Sequence, residues 1–286
     1  MLEAPSEREI RQFHESGILF PLRVLEEQEA GRLLPCFESL RERMRDWSYS
    51  AQILKPHLVS TWVHELVRHP RVLDPIEALI GPDILCWSAS FFAKRAHDPR
   101  YVGWHQDITY WGLRPAEEVV TVWLALTEST TENGCMRVVP GTHLGKVRPH
   151  VCVSGTDNML MSEQEVSLTL DDCERIVDVE LAPGEMSIHH SRLLHGSTPN
   201  PSSCSRIGLS INYMPTHARQ VASDVRDSAM LVRGTDRYGH FDLEPGPQSD
   251  FNGAAIAAYK KSMRTPSGTG RAGNNPRDYN RLDLST

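Results

Sequence analysis

The sequence predicts a mainly β domain, a sandwich or barrel, with a block of helices packed against it. Three observations carry this reading. Apolar residues in the first eighty positions recur at helical spacing. Beyond position 82 the chain changes to many short runs rich in β-branched and aromatic residues. Turn sequences such as ENG, PGT and APG separate those runs, where βαβ units would place amphipathic helices. A chain of 286 residues fits one large domain. We divide it into a helical region (1–82), a β core with a segment at 233–243 suited to cover a pocket or to form a surface loop, and an irregular tail (244–286).

The elements follow in order. Ser6 and Glu9 form a capping-box pattern, and Gly17 closes the helix they open. Over 26–47, Leu33, Phe37, Leu40, Met44 and Trp47 recur at steps of four, three, four and three, which is one buried helix face. Two shorter helices are predicted at 61–68 and 71–80, ended by Gly81-Pro82. Strands are predicted at 84–95, 119–126, 136–139, 176–181, 186–189 and 206–214. Residues 157–175 read as an inserted loop with some helix. The Gly-, Pro- and Asn-rich end predicts a loose terminus.

Composition removes several classes of function. Thirty Lys and Arg against 37 Asp and Glu give a net charge of −7, with a pI near 6.0. That balance argues against nucleic acid and anionic membranes as partners. Six scattered cysteines with no CxxC pair exclude a disulfide scaffold and a zinc finger. The opening MLEAPSEREIRQF has no apolar core of a signal peptide, and no run suits a membrane span. A cytoplasmic protein acting on a small molecule is the expectation; oligomeric state is not legible.

Thirteen histidines direct attention to metal and acid–base chemistry. His105 and Asp107 stand two apart, and on an extended strand they would share a face. His195 is a distant second imidazole, and Arg206 follows it by eleven residues at the start of a predicted strand. Two His and one carboxylate form the facial triad of non-haem Fe(II) oxygenases. Three protein ligands on one face leave three positions on an octahedral ion: two for a bidentate 2-oxo acid and one for O2. A buried Arg beside the second His would pair with the far carboxylate of that acid. His/Asp/His also holds Zn2+ in hydrolases and isomerases, where Arg206 has no role. A non-catalytic jelly-roll binding protein is the other alternative.

The segment 104–214 resembles the phytanoyl-CoA dioxygenase family of Fe(II)/2-oxoglutarate-dependent oxygenases. The residues that carry the resemblance are WHQD (104–107), VVTVWLALTESTTENGCMRVVPGTH (119–143), and HGSTPN (195–200) with Arg206. The resemblance implies a double-stranded β-helix, a cupin-like jelly roll, with helices outside. It implies that His105, Asp107 and His195 ligate Fe(II), and that Arg206 binds the distal carboxylate of 2-oxoglutarate. It further implies that Gln106, Trp123 and Ser197 line the co-substrate site, with O2 as the oxidant. Related halogenating enzymes replace the carboxylate with a small residue; Asp107 therefore favours hydroxylation.

Other residues near these motifs carry side chains suited to a site. His189 and His190 neighbour His195, but only His195 has the Gly-Ser continuation and the spacing to Arg206. His143 suits either a substrate contact or a hydrogen-bonded turn. Tyr110 and Trp111 follow the metal motif and would suit a pocket rim. Arg114, Arg137 and Asn212 are candidate polar contacts to substrate. No basic cluster marks a coenzyme A site, so a free small molecule or biosynthetic intermediate is the expected substrate.

Overall fold

The computed structural model describes residues 5–47, 52–153, 157–160, 164–222 and 225–263. Helix α1 (Glu7–Ser16) starts at the predicted capping box, and Gly17 ends it at φ 80°, in the left-handed region that favours glycine. Helix α2 (Glu27–Arg43) buries Ala30, Phe37 and Leu40. Helices α3 (Thr61–Leu66) and α4 (Pro70–Ile80) complete the block. The first eighty residues are not all helical. Strand β1 (Ile18–Arg23) and the two-residue β2 (Ile53–Leu54) lie between the helices and join the β core. The β-branched and aromatic content of β1 gives it strand character despite its short length.

The core has two antiparallel sheets. Strands β3 (Ile84–Lys94), β5 (Val120–Ala125), β8 (Glu185–His190) and β10 (Arg206–Pro215) form the centre of the large sheet. Strand β4 (Val102–His105), β6 (Met136–Val139), β7 (Val177–Val179) and β9 (Leu194–Ser197) form the small one, in the order β7-β6-β9-β4. The large sheet runs β1-β8-β5-β10-β3, and continues through β11 (Ser228–Arg233) to β12 (Asp242–Leu243), which alone pairs in parallel; β2 pairs with β3. The chain thus crosses repeatedly between the sheets, in the jelly-roll manner, without closing a barrel.

Alternation sorts the side chains of the large sheet. Val120, Val122 and Leu124, with Ile207, Leu209, Ile211 and Tyr213, pack beneath the helices in the main hydrophobic core. Thr121 and Trp123, with Arg206 and Ser210, point the other way, into a pocket between the sheets. Trp123 and Ala125 meet Met136, Val138 and Val179 of the small sheet in a second apolar cluster. A helix, α7 (Gly253–Ser262), occupies part of the tail expected to be irregular; Ala255 and Tyr259 anchor it to the main core. Helices α5 (Ile108–Trp111) and α6 (Leu170–Glu174) are single turns in the connections. No helix among the described residues is long and apolar enough to cross a membrane.

Candidate active site

His105 ends β4, and His195 sits opposite it on β9, since the two residues are direct cross-strand partners. Their rings lie 4.1 Å apart between centroids. Each imidazole is fixed the same way. His105 Nδ1 donates to the Gly103 carbonyl at 2.8 Å, and His195 Nδ1 donates to the Leu193 carbonyl at 2.9 Å. Those bonds turn both Nε2 atoms to the pocket side, the nitrogens that can face a metal. His105 Nε2 is 3.3 Å and His195 Nε2 3.7 Å from Asp107 Oδ1. One donor atom from each residue lies within 4.8 Å of the others. Two imidazole nitrogens and one carboxylate oxygen on one side of a pocket suit a divalent ion with open positions.

Asp107 is not on the strand. Its backbone is helical (φ −49°, ψ −46°) at the start of α5. The extended H-x-D geometry expected from the sequence is therefore replaced by a turn out of β4, which still returns the carboxylate to His105. Thr121 Oγ1 donates to Asp107 Oδ2 at 2.8 Å, and Asn212 Nδ2 donates to Thr121 Oγ1 at 3.1 Å. His189, Thr121 and Asn212 are register partners on three adjacent strands, so they form one polar row behind Asp107. His189 Nε2 is 3.5 Å from Asp107 Oδ2, and neither of its ring nitrogens has a hydrogen-bond partner.

Electrostatics set the protonation needed for metal binding. Burial opposes the Asp107 charge, yet His195, His105 and His189 around it hold its carboxyl well below the usual range. Burial, then His105, pushes the His195 imidazole well below its ordinary value, against the opposing pull of Asp107. An ionised carboxylate and a neutral imidazole result.

Arg206 opens β10 and is fully buried, at 3% exposure. Its Nη2 donates to the Gly134 carbonyl at 2.9 Å, while its Nε has no acceptor. The Trp123 ring lies 5.0 Å from its Cζ. Gly208 makes room for that indole: a Cβ there would lie 2.0 Å from Trp123 Cζ2. No carboxylate pairs with Arg206 among the described residues, so the donor set fits an incoming anion. Burial lowers its pKa to about 10, still charged at neutral pH.

His105, Asp107, Trp123, His195, Ser197 and Arg206 thus line one pocket. Gln106 does not. Its amide is turned away, donating to the Arg192 carbonyl at 2.6 Å and accepting from Arg148 N at 2.8 Å, which ties the loop after β4 to its neighbours. Arg137 lies on the far face of β6 and pairs with Asp178 at 2.9 Å. Arg114 Nη1 donates to the Leu113 carbonyl at 2.8 Å in a short ribbon outside the pocket. Trp111 packs 5.4 Å from Trp87 in an adjoining apolar cluster, and the side chain of Tyr110 lies outside the described residues. Asn212 acts through Thr121. Phe241 is buried in the Trp87 cluster, and no residue of 233–243 lines the triad pocket.

His143 is a hydrogen-bonded turn residue, its Nε2 facing the His14 carbonyl at 3.1 Å. His190 Nδ1 accepts from Arg192 N at 3.0 Å and supports the turn after β8. Thr121 and Lys94 are pocket-side residues that the motif reading missed. Thr121 stands two before Trp123 on one strand face, a signal that period-two alternation carries.

The phytanoyl-CoA dioxygenase (PhyH) family model matches residues 13–208. A probable phytanoyl-CoA dioxygenase of Caenorhabditis elegans is 28% identical over 155 residues, which cover 52% of this chain and 49% of that protein. A probable alpha-ketoglutarate-dependent hypophosphite dioxygenase of Stutzerimonas stutzeri is 31% identical over 172 residues, 58% of each chain. The chain spans about half the length of the curated relatives it matches. Among solved structures, the apo form of the non-heme monooxygenase ThoJ has a TM-score of 0.80 at 32% identity, over 95% of this chain and 97% of that one.

Proposed function

The chain belongs to the phytanoyl-CoA dioxygenase family, and from that premise we propose that it is an Fe(II)- and 2-oxoglutarate-dependent oxygenase that hydroxylates a small molecule at an unactivated C–H bond. Succinate and CO2 are the co-products. The observation that carries the reading is the convergence of His105 Nε2, His195 Nε2 and Asp107 Oδ1 in the same pocket as the unpaired Arg206. A hydrolytic metal site has no use for that buried guanidinium.

In this reading His105, Asp107 and His195 hold Fe(II), and Arg206 with Ser197 holds the distal carboxylate of 2-oxoglutarate. The iron and co-substrate supply the oxidising chemistry when bound. The protein supplies geometry. The Nδ1 hydrogen bonds orient both imidazoles, and Thr121 holds the Asp107 oxygen that faces away from the triad. Trp123 is a wall beside Arg206, while Phe92, Val102 and Met136 give the pocket apolar sides that exclude water. The carboxylate at position 107 supports hydroxylation over halogenation. A free small molecule is the substrate class proposed, since no basic cluster in the sequence marks a coenzyme A site.

The test is succinate release from 2-oxoglutarate, with Fe(II) and O2, across a panel of metabolites. A substrate should stimulate succinate release and gain one oxygen atom by mass. Wild-type protein that leaves 2-oxoglutarate unconsumed across the panel, while hydrolysing one of its members, overturns the reading.

A further inference from the structure

Lys94 ends β3 at the position paired directly with Arg206 on β10. Both side chains therefore leave the large sheet on the pocket side, one beside the other. Lys94 is 1% exposed. Its Nζ donates to Ser197 Oγ at 2.6 Å, to the Thr198 carbonyl, and to the Gly134 carbonyl at 3.3 Å. Arg206 Nη2 reaches two of the same acceptors, the Gly134 carbonyl at 2.9 Å and Ser197 Oγ at 3.5 Å. Two buried cations thus share uncharged acceptors.

The charged and titratable groups around Lys94 supply no counter-ion. Asp98 is held by Arg100 at 2.5 Å. The Cys135 thiol is pushed up to about 11 by burial, so it is uncharged at neutral pH. Arg206 and Arg100 add positive charge. Buried like charges of this kind are costly unless an anion joins them.

Ser197 decides where that anion goes. A hydroxyl accepts twice and donates once. Lys94 occupies one acceptor position of Oγ and Arg206 approaches the other, which leaves the hydroxyl proton for the pocket that Ser197 lines.

We propose that Lys94 is the second cation of the co-substrate carboxylate site, a positioning residue that acts through Ser197. This rests on the assignment of Arg206 to the distal carboxylate. The three donated hydrogen bonds use all three N–H groups of an ammonium, so its charge stands beside Arg206 before the dianion arrives. Burial, and then Arg206, oppose that charge, and a carboxylate held by the two cations relieves the opposition.

The experiment is anaerobic calorimetry of 2-oxoglutarate binding to the Mn(II)-loaded protein. Lys94→Met should raise Kd about tenfold or more. Lys94→Arg, which keeps a charged donor for Ser197, should recover most of that loss. Arg206→Met weakens binding whenever the co-substrate assignment holds, whatever Lys94 does. Wild-type affinity in Lys94→Met overturns the proposal alone, as does a folded Lys94→Arg variant that binds no more tightly than Lys94→Met. Absence of 2-oxoglutarate binding to the wild type overturns the assignment of Arg206 and the proposal together.

Discussion

Thr121 Oγ1 donates to Asp107 Oδ2 at 2.8 Å, a bond from the large sheet to a triad carboxylate that follows a strand of the small one. It leaves Oδ1 facing the two imidazoles. Removing such a support from a ligating carboxylate lowers metal affinity about 10–100-fold. Thr121→Val should do so in anaerobic Fe(II) or Mn(II) titrations, and Thr121→Ser should restore most of the loss. Asn212 loses its acceptor in the valine variant, which should cost about 1 kcal/mol of stability in denaturant unfolding.

His189 and His195 are separable by metal binding. Their rings lie 4.6 Å apart, yet only His195 has Nδ1 fixed by a backbone carbonyl. His195→Ala should abolish metal binding in the titrations above, and His189→Ala should keep it within a few-fold. Loss of binding in His189→Ala alone would transfer the ligand assignment.

Gly208 is the place where backbone and indole meet. A methyl group there would lie 2.0 Å from Trp123 Cζ2, so Gly208→Ala must displace the ring that flanks Arg206. Overpacking of this kind costs about 1–3 kcal/mol. Gly208→Ala should show that loss in urea unfolding, together with weaker 2-oxoglutarate binding. Wild-type stability and affinity would show that the ring moves freely.

Away from the pocket, Lys55 Nζ meets Glu244 Oε1 at 2.6 Å, with both side chains buried. Ser228 and Ser262 also donate to that oxygen, at 2.8 and 2.7 Å. Burial opposes the Glu244 charge, but Lys55 and His57 hold its carboxyl well below the usual range. A depressed carboxyl contributes stability above the unfolded value of about 4.3, and loses it as pH falls through the folded one. Glu244→Gln should therefore flatten the acid limb of a stability–pH curve. Glu244→Ala should cost about 3–5 kcal/mol at pH 7, since it strands a buried ammonium, and adding Lys55→Met should recover most of that.

Much of the architecture is legible because alternation and capping are local. The strand 136–139 and the Ser6–Glu9 cap are read directly from residue order. Strand β1 is not, because a six-residue strand between two helices has little pattern of its own and is fixed by pairing with β8. The Gly253–Ser262 helix escapes notice for a similar reason: its small residues carry little periodicity, and Tyr259 defines its buried face only in the fold.

The site divides along the same line. His105, Asp107, His195 and Arg206 stand out through residue type and spacing. Gln106 shares the motif, but its orientation depends on the Arg148 and Arg192 backbone, which lie 42 and 86 residues away. Lys94 looks like an ordinary strand-end lysine until β3 and β10 are paired, since only the register places it beside Arg206.

The most direct test of the account is optical. Under anaerobic conditions, Fe(II) followed by 2-oxoglutarate should give the wild-type protein a visible metal-to-ligand charge-transfer band, which reports chelation of the 2-oxo acid by the iron. Asp107→Ala and His195→Ala should lack the band, and Arg206→Met should need much more 2-oxoglutarate to reach it. A folded wild-type protein that shows no band at saturating Fe(II) and 2-oxoglutarate would contradict the assignment of this pocket as an Fe(II)/2-oxoglutarate site.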